Sequence, residues 1–146
     1  MFKRTAFWDW FVGNDQNSRS SSPTGGASIS PDMTLEETLV DGACVLKVSG
    51  EADLQGVPEL QEAARSKLGP EANVPVLVID FEAATFVNTP VWGVVVECFQ
   101  RTGKSGQKFA VSGLSGRVKD SFDIVRLGEF VPHFSNIQEA VDGLAD

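Results

Sequence analysis

Asp53 and Asp80, each near the end of a largely apolar run, are the carboxylates that could work as an acid–base pair. The sequence gives such a dyad no support, because no histidines cluster and no nucleophile stands at a useful spacing from a base. Gly103-Lys104-Ser105-Gly106 resembles part of a phosphate loop, but its glycines are mis-spaced and it precedes a strand, so it reads as a turn. Cys44, Cys98 and His133 make a poor metal set, since each lies in a separate segment. The two cysteines sit inside apolar runs and read as small buried thiols, which suits a reducing cytoplasm. No cofactor or metal is implied. The more informative chemistry is a hydroxyl, Thr89, in the run Asn88-Thr89-Pro90-Val91. Thr suits a helix N-cap and Pro the first helical position, so capping alone would explain both. A phosphate on the same hydroxyl would meet free backbone N–H groups at the positive end of a helix dipole.

The elements that must position these residues alternate in type. Residues 43–48 read as a strand by β-branched content and partial alternation, closed by Gly50. Pro58 opens a helix through Lys67, with Leu60, Ala63, Ala64 and Leu68 on one face, and Gly69-Pro70 stops it. Residues 74–81 form a nearly continuous apolar run, as expected of a strand buried on both faces. Residues 90–103 are predicted as a second helix, with Val91, Val95, Cys98, Phe99 and Thr102 inward. Residues 108–112 form a third strand, 117–127 a third helix, 131–134 a short strand and 137–144 a last helix capped by Ser135 or Asn136. Four alternations of strand and helix imply a sheet with helical crossovers, and a hairpin partner at 34–39 would make the sheet mixed.

On this pattern Trp92 lies one step off the inward stripe, with Val96 one turn later and Phe86 nearby. Together they are expected to form an exposed apolar patch for a partner. The alternative is that Trp92 packs under a neighbouring loop or the N-terminal segment.

The chain has 146 residues and a formal net charge of -8. Before Met33, Lys3, Arg4 and Arg19 balance Asp9, Asp15 and Asp32, so the excess lies in the folded part. Such a domain repels phosphate backbones and suits a basic protein surface, so nucleic acid is not an expected partner. The organisation expected is an aromatic segment at 1–12, a flexible linker at 13–32 rich in Ser, Gly, Asn and Pro, and one domain at 33–146. The first segment holds Phe7, Trp8, Trp10 and Phe11, and at helical spacing its apolar residues nearly encircle the axis. It could anchor at a membrane surface, dock into a partner's groove, or fold back on its own domain. No run approaches the ~20 apolar residues of a membrane span, and Asp9 interrupts any signal-peptide core.

Several of these residues, in order, resemble the STAS domain of bacterial anti-sigma-factor antagonists. The matching runs are Gly50-Glu51-Ala52-Asp53-Leu54, Val78-Ile79-Asp80-Phe81, Phe86-Val87-Asn88-Thr89-Pro90-Val91-Trp92-Gly93, Ser105-Gly106 before a strand, Leu114-Ser115-Gly116-Arg117-Val118, and Glu139-Ala140. The resemblance implies an α/β fold with a mixed sheet of four to five strands and about four helices, mainly on one face. It implies a partner-binding module without enzymatic activity, whose partner is a serine/threonine kinase-type anti-sigma factor or another signalling protein. In the family the phosphorylated Ser aligns with Thr89 and the preceding Asp with Asn88, while Pro90-Val91 replaces a Ser/Thr-Gly pair. Asp53, Asn88, Thr89, Pro90, Trp92 and Val96 are therefore the expected partner-binding residues, with Thr89 the candidate phosphoacceptor. A second role the family implies is a membrane-linked accessory subunit of a transporter or lipid-transport complex, which docks without a phosphate switch. The expected location is the cytoplasm, with peripheral membrane contact through residues 1–12 in that second case.

Overall fold

Asp41 and Gly42, at φ 51° and 85°, form a two-residue turn that suits an antiparallel hairpin. In this computed structural model, which describes residues 33–144, the turn joins β1 (Met33–Val40) to β2 (Ala43–Ala52) with Val40 facing Ala43. The chain continues through α1 (Val57–Arg65), β3 (Val76–Val87), α2 (Thr89–Ser105), β4 (Lys108–Ser112), α3 (Gly116–Ile124), β5 (His133–Phe134) and α4 (Ile137–Leu144). Short 3-10 turns at Pro70–Ala72 and Leu127–Glu129 complete the connections. The sheet order is β1-β2-β3-β4-β5, with β1 antiparallel and the other pairings parallel. The sheet is mixed and five-stranded, as the alternation of elements required.

Alternating residues of the strands divide into two cores. Leu46, Val48, Leu77, Ile79, Phe81 and Val111 face α1, α2 and α3. Val45, Val78 and Ala110 face the opposite way and are covered by α4 through Ala140, with Ile137 and Leu144 beside it. Three helices thus share one face and one helix takes the other, which is why the β3 run is apolar without alternation. Asn136 caps α4 by accepting a hydrogen bond from the Glu139 N–H at 2.8 Å.

Of the boundaries that differ from the sequence expectation, three follow from strand pairing. β2 does not stop at Gly50. This residue takes a positive φ of 79° and the strand continues to Ala52 past a register shift between Gly50 and Glu51. β3 runs on to Val87 because its last residues pair with β2, whatever their polarity. β5 shrinks to two residues, bonded only to the end of β4.

Gln107 secures the long connection between α1 and β3. Its amide nitrogen donates to the carbonyls of Lys67 (2.8 Å) and Val74 (2.7 Å), and its amide oxygen accepts from the Gly69 N–H (2.9 Å). The connection is thereby closed by one side chain from the link between α2 and β4. Gln107→Ala strands three backbone groups and is expected to lower stability by ~2 kcal/mol. Urea unfolding checks this; an unchanged midpoint would show that water replaces the amide.

Both cysteines are free and buried, Cys44 on β2 and Cys98 on α2. Burial pushes both thiols up from the ordinary value of 9.0. The neutral thiol is the native form, and its contribution to stability is full below that value and is lost as pH rises above it. At pH 8 a thiol reagent is expected to leave the native protein largely unlabelled and to titrate both thiols after unfolding.

Candidate partner-binding site

β2 and β3 end side by side, because the Asn88 N–H donates to the Ala52 carbonyl at 2.8 Å. Each strand then leads into a helix. After β2, Asp53 Oδ1 accepts from the backbone N–H groups of Gln55 (3.1 Å) and Gly56 (3.2 Å), which turns the chain into α1. After β3, Asn88 holds extended backbone angles and its Oδ1 accepts from the Thr89 N–H at 2.9 Å. The helix cap is therefore Asn88, and Thr89 occupies the first helical position instead of the cap expected for it. Pro90 follows and has no N–H, and the Val91 N–H donates to the Asn88 carbonyl at 2.9 Å. The donors expected to be free at this helix start are thus absent or already bonded. Thr89 is half-buried, and its hydroxyl is bonded to no described residue.

Two apolar side chains flank this corner in solvent. Leu54 is 39% exposed in the turn after Asp53, and Phe86 is 40% exposed just before Asn88. Exposed Glu51 and Gln55 lie beside Leu54, at the end of β2 and in the turn after it. Asp53, Asn88, Thr89 and Pro90 are thus brought to one end of the sheet.

Trp92 and Val96 correct the expectation of an exposed patch. Trp92 is fully buried and Val96 is 5% exposed. The Trp92 ring lies 5.2 Å from Phe81 of β3 and 5.4 Å from Phe122 of α3, and its Nε1–H donates to Ser121 Oγ at 2.8 Å. The cause is the position of α2 between the sheet, α1 and α3. Its residues 91–98 are all buried, so a single inward stripe does not describe a helix with neighbours on three sides. Even Glu97 on this helix is buried to 9% exposure. Its Oε2 pairs with Arg65 Nε (2.9 Å) from α1 and Arg101 Nη1 (3.1 Å) from its own helix.

Asp80 does not join Asp53. It lies seven residues before Val87 on β3, about 20 Å from the strand end at ~3.3 Å per residue. It is 2% exposed, its Oδ1 accepts from Ser112 Oγ at 2.6 Å, and its Oδ2 accepts from the Glu82 N–H at 3.3 Å. Asp80 holds β3 to β4, and Asp53 shapes a turn. Among the described residues no group of three potential metal ligands converges, and no helix is long and apolar enough to cross a membrane. Phe7, Trp8, Trp10 and Phe11 lie outside the described residues. Sequence reasoning missed Leu54 as a surface residue; its signal was an apolar side chain placed directly after a turn-forming Asp.

A five-stranded mixed sheet with three helices on one face, and a helix starting beside the exit of β2, defines a class of small mixed α/β domain. The STAS domain profile matches residues 34–140, and the chain belongs to that family. Among solved structures, an anti-sigma factor antagonist from Mycobacterium paratuberculosis is similar, with 24% identity, TM-score 0.72, and coverage of 80% of this chain and 98% of that one. A STAS domain protein from Planctomyces limnophilus gives 18% identity, TM-score 0.65, and coverage of 77% and 98%. SpoIIAA in its unphosphorylated form gives 18% identity, TM-score 0.64, and coverage of 75% and 95%. No curated protein matches the chain by sequence.

The buried placement of Trp92 has a direct consequence. Trp92→Ala removes the ring between Phe81 and Phe122 and is expected to cost about 3–5 kcal/mol. Chemical unfolding measures it, and a loss below ~1 kcal/mol would mean that the ring is not packed as described.

Proposed function

We propose that this chain is a binding module of a partner-switching pathway, an anti-sigma-factor antagonist whose partner is a serine/threonine kinase-type anti-sigma factor in the cytoplasm. The observation that carries this reading is the Thr89 hydroxyl at the head of α2, bonded to no described residue and flanked by exposed Leu54 and Phe86 in a domain of the STAS family. Asp53, Asn88, Thr89 and Pro90 form the polar centre of the contact, and Leu54 and Phe86 its apolar margin. Trp92 and Val96 support the contact from beneath, by fixing the helix that presents it.

Thr89 is the phosphoacceptor in this reading. SpoIIAA, of similar fold, has structures in both an unphosphorylated and a phosphorylated form, which supports a switch of this kind. A phosphate adds close to two negative charges. Here it would meet Asn88 and Pro90, which leave no spare N–H in the first turn, and exposed Glu51 in the neighbouring strand. Binding then weakens because the partner surface that meets Thr89 is suited to a neutral hydroxyl, and burying a doubly charged phosphate there costs desolvation that no new N–H offsets.

The test is incubation with a recombinant kinase-type anti-sigma factor and Mg-ATP, followed by peptide mass spectrometry and binding assays. Phosphate is expected on Thr89 alone, with none on Thr89→Ala. Thr89→Glu is expected to weaken binding at least ~10-fold, about 1.4 kcal/mol. Binding with no phosphate on Thr89 would remove the switch and keep the module. No binding by the unmodified chain would remove the module.

A further inference from the structure

The chain before β1 enters the sheet at the end that carries Thr89. Met33 is the first residue of β1 and pairs with Gly50, which in turn pairs with Ala84 of β3. Met33 therefore lies two strand spacings, roughly 10 Å, from β3 near Phe86. Its side chain is buried against Gly56 at the start of α1, where an added Cβ would come within 2.6 Å of Met33 Sδ. This contact fixes the point of entry beside the Asp53–Gly56 turn. Of the other large exposed apolar residues, Leu39 faces Cys44 at the opposite end of the hairpin, and Ile124 and Phe130 belong to α3 and the turn after it.

The segment that enters here carries its own apolar side chains. Residues 1–12 include Phe7, Trp8, Trp10 and Phe11, joined to Met33 through twenty residues at 13–32 rich in Ser, Gly and Asn. A linker of that composition has a root-mean-square span of roughly 25 Å, longer than the distance from Met33 to Phe86. Charge favours the same match. Lys3 and Arg4 precede these aromatics, and Glu51 is exposed at the end of β2 that leads to the site.

We propose that residues 1–12 dock in cis on the Leu54–Phe86–Thr89 corner and compete with the protein partner. The regulatory part rests on the reading of that corner as the partner-binding surface; the docking part does not. Tethering sets an effective concentration on the order of 1 mM. A segment that binds in trans with a dissociation constant of ~0.1 mM would then occupy the corner about ten times as often as not. Partner affinity falls by a similar factor, and the full chain becomes a self-masked form of the module.

Amide NMR spectra of the full chain and of a chain lacking residues 1–12 test the docking, because the deletion touches none of the described residues. Shift differences are expected at residues 53–56 and 85–91. A synthetic peptide of residues 1–12, added to the shortened chain, is expected to reproduce them. Phe86→Glu in the full chain is expected to abolish them while the rest of the spectrum stays folded. Identical spectra, or differences confined to other surfaces, would overturn the proposal. So would differences that grow with protein concentration, which indicate a second copy, or differences that appear only with anionic phospholipid vesicles, which indicate a lipid surface. A recombinant kinase-type anti-sigma factor then reads the regulation. Deletion of residues 1–12 is expected to tighten its binding about ten-fold, and unchanged affinity would overturn the masking. If the kinase binds neither form, the functional reading fails while the spectra still decide the docking.

Discussion

The seating of Trp92 between Phe81 and Phe122 governs how α2 lies on the sheet. An indole of this size buries a large apolar area, and its N–H needs a partner once it leaves water. Ser121 supplies that partner from α3, so one side chain ties β3, α2 and α3 together. On the other flank Glu97 reaches Arg65 of α1. The helix is thus held from both sides as well as from below, and its start cannot shift without disturbing all three contacts. That rigidity is what allows the short run Asn88-Thr89-Pro90 to be presented in a fixed position.

Along residues 91–98 α2 has little side surface left for recognition. What remains is its end, and the sheet is built to project that end. β4 pairs with β3 only from Val76 to Asp80, while β2 follows β3 all the way to Val87. Beyond Asp80 the sheet narrows to β1, β2 and β3, and two register shifts, where β3 carries an extra residue opposite Lys47/Ser49 and Gly50/Glu51 of β2, add twist where it does so. The turn after β2 and the cap of α2 ride on this projection. Leu54 and Phe86 are exposed there because, among the described residues, no further strand or helix extends far enough to cover them.

The strand and helix order was legible because each element carries its own local signal. The apolar β3 run, the Pro and Gly stops around α1, and the Asn136 cap all act within a few residues. The Asp41-Gly42 turn has the same local character. What was not legible depended on neighbours. The face taken by Trp92 could not be read from helical spacing, since that spacing assumes one buried stripe and α2 has three neighbours. Val96 was misplaced for the same reason. The continuation of β2 through Gly50 and of β3 through Val87 came from pairing between strands, to which local composition is blind. At the site, the cluster of Asp53 with Asn88, Thr89 and Pro90 was readable from motif order. Its hydrogen bonding was not, because it turns on whether Asn88 or Thr89 caps the helix.

That last distinction changes the electrostatics of the proposed switch. A helix start usually welcomes an anion because several N–H groups point outward unbonded. Here Asn88 Oδ1 takes the Thr89 N–H, Pro90 contributes none, and the Asn88 carbonyl takes the Val91 N–H. Only the helix dipole is left to favour a phosphate, a term of about 0.3–1 kcal/mol at exposed sites. Against it stand the exposed carboxylate of Glu51 nearby and the negative balance of the whole domain. A phosphate at Thr89 would then find no new cradle in its own domain. Its effect on binding would arise at the partner's surface, from charge added to a contact that is otherwise apolar at its margin and uncharged at Thr89 itself. A switch of this form needs no internal rearrangement. That agrees with a helix held by the sheet, by α1 through Arg65–Glu97 and by α3 through Ser121–Trp92.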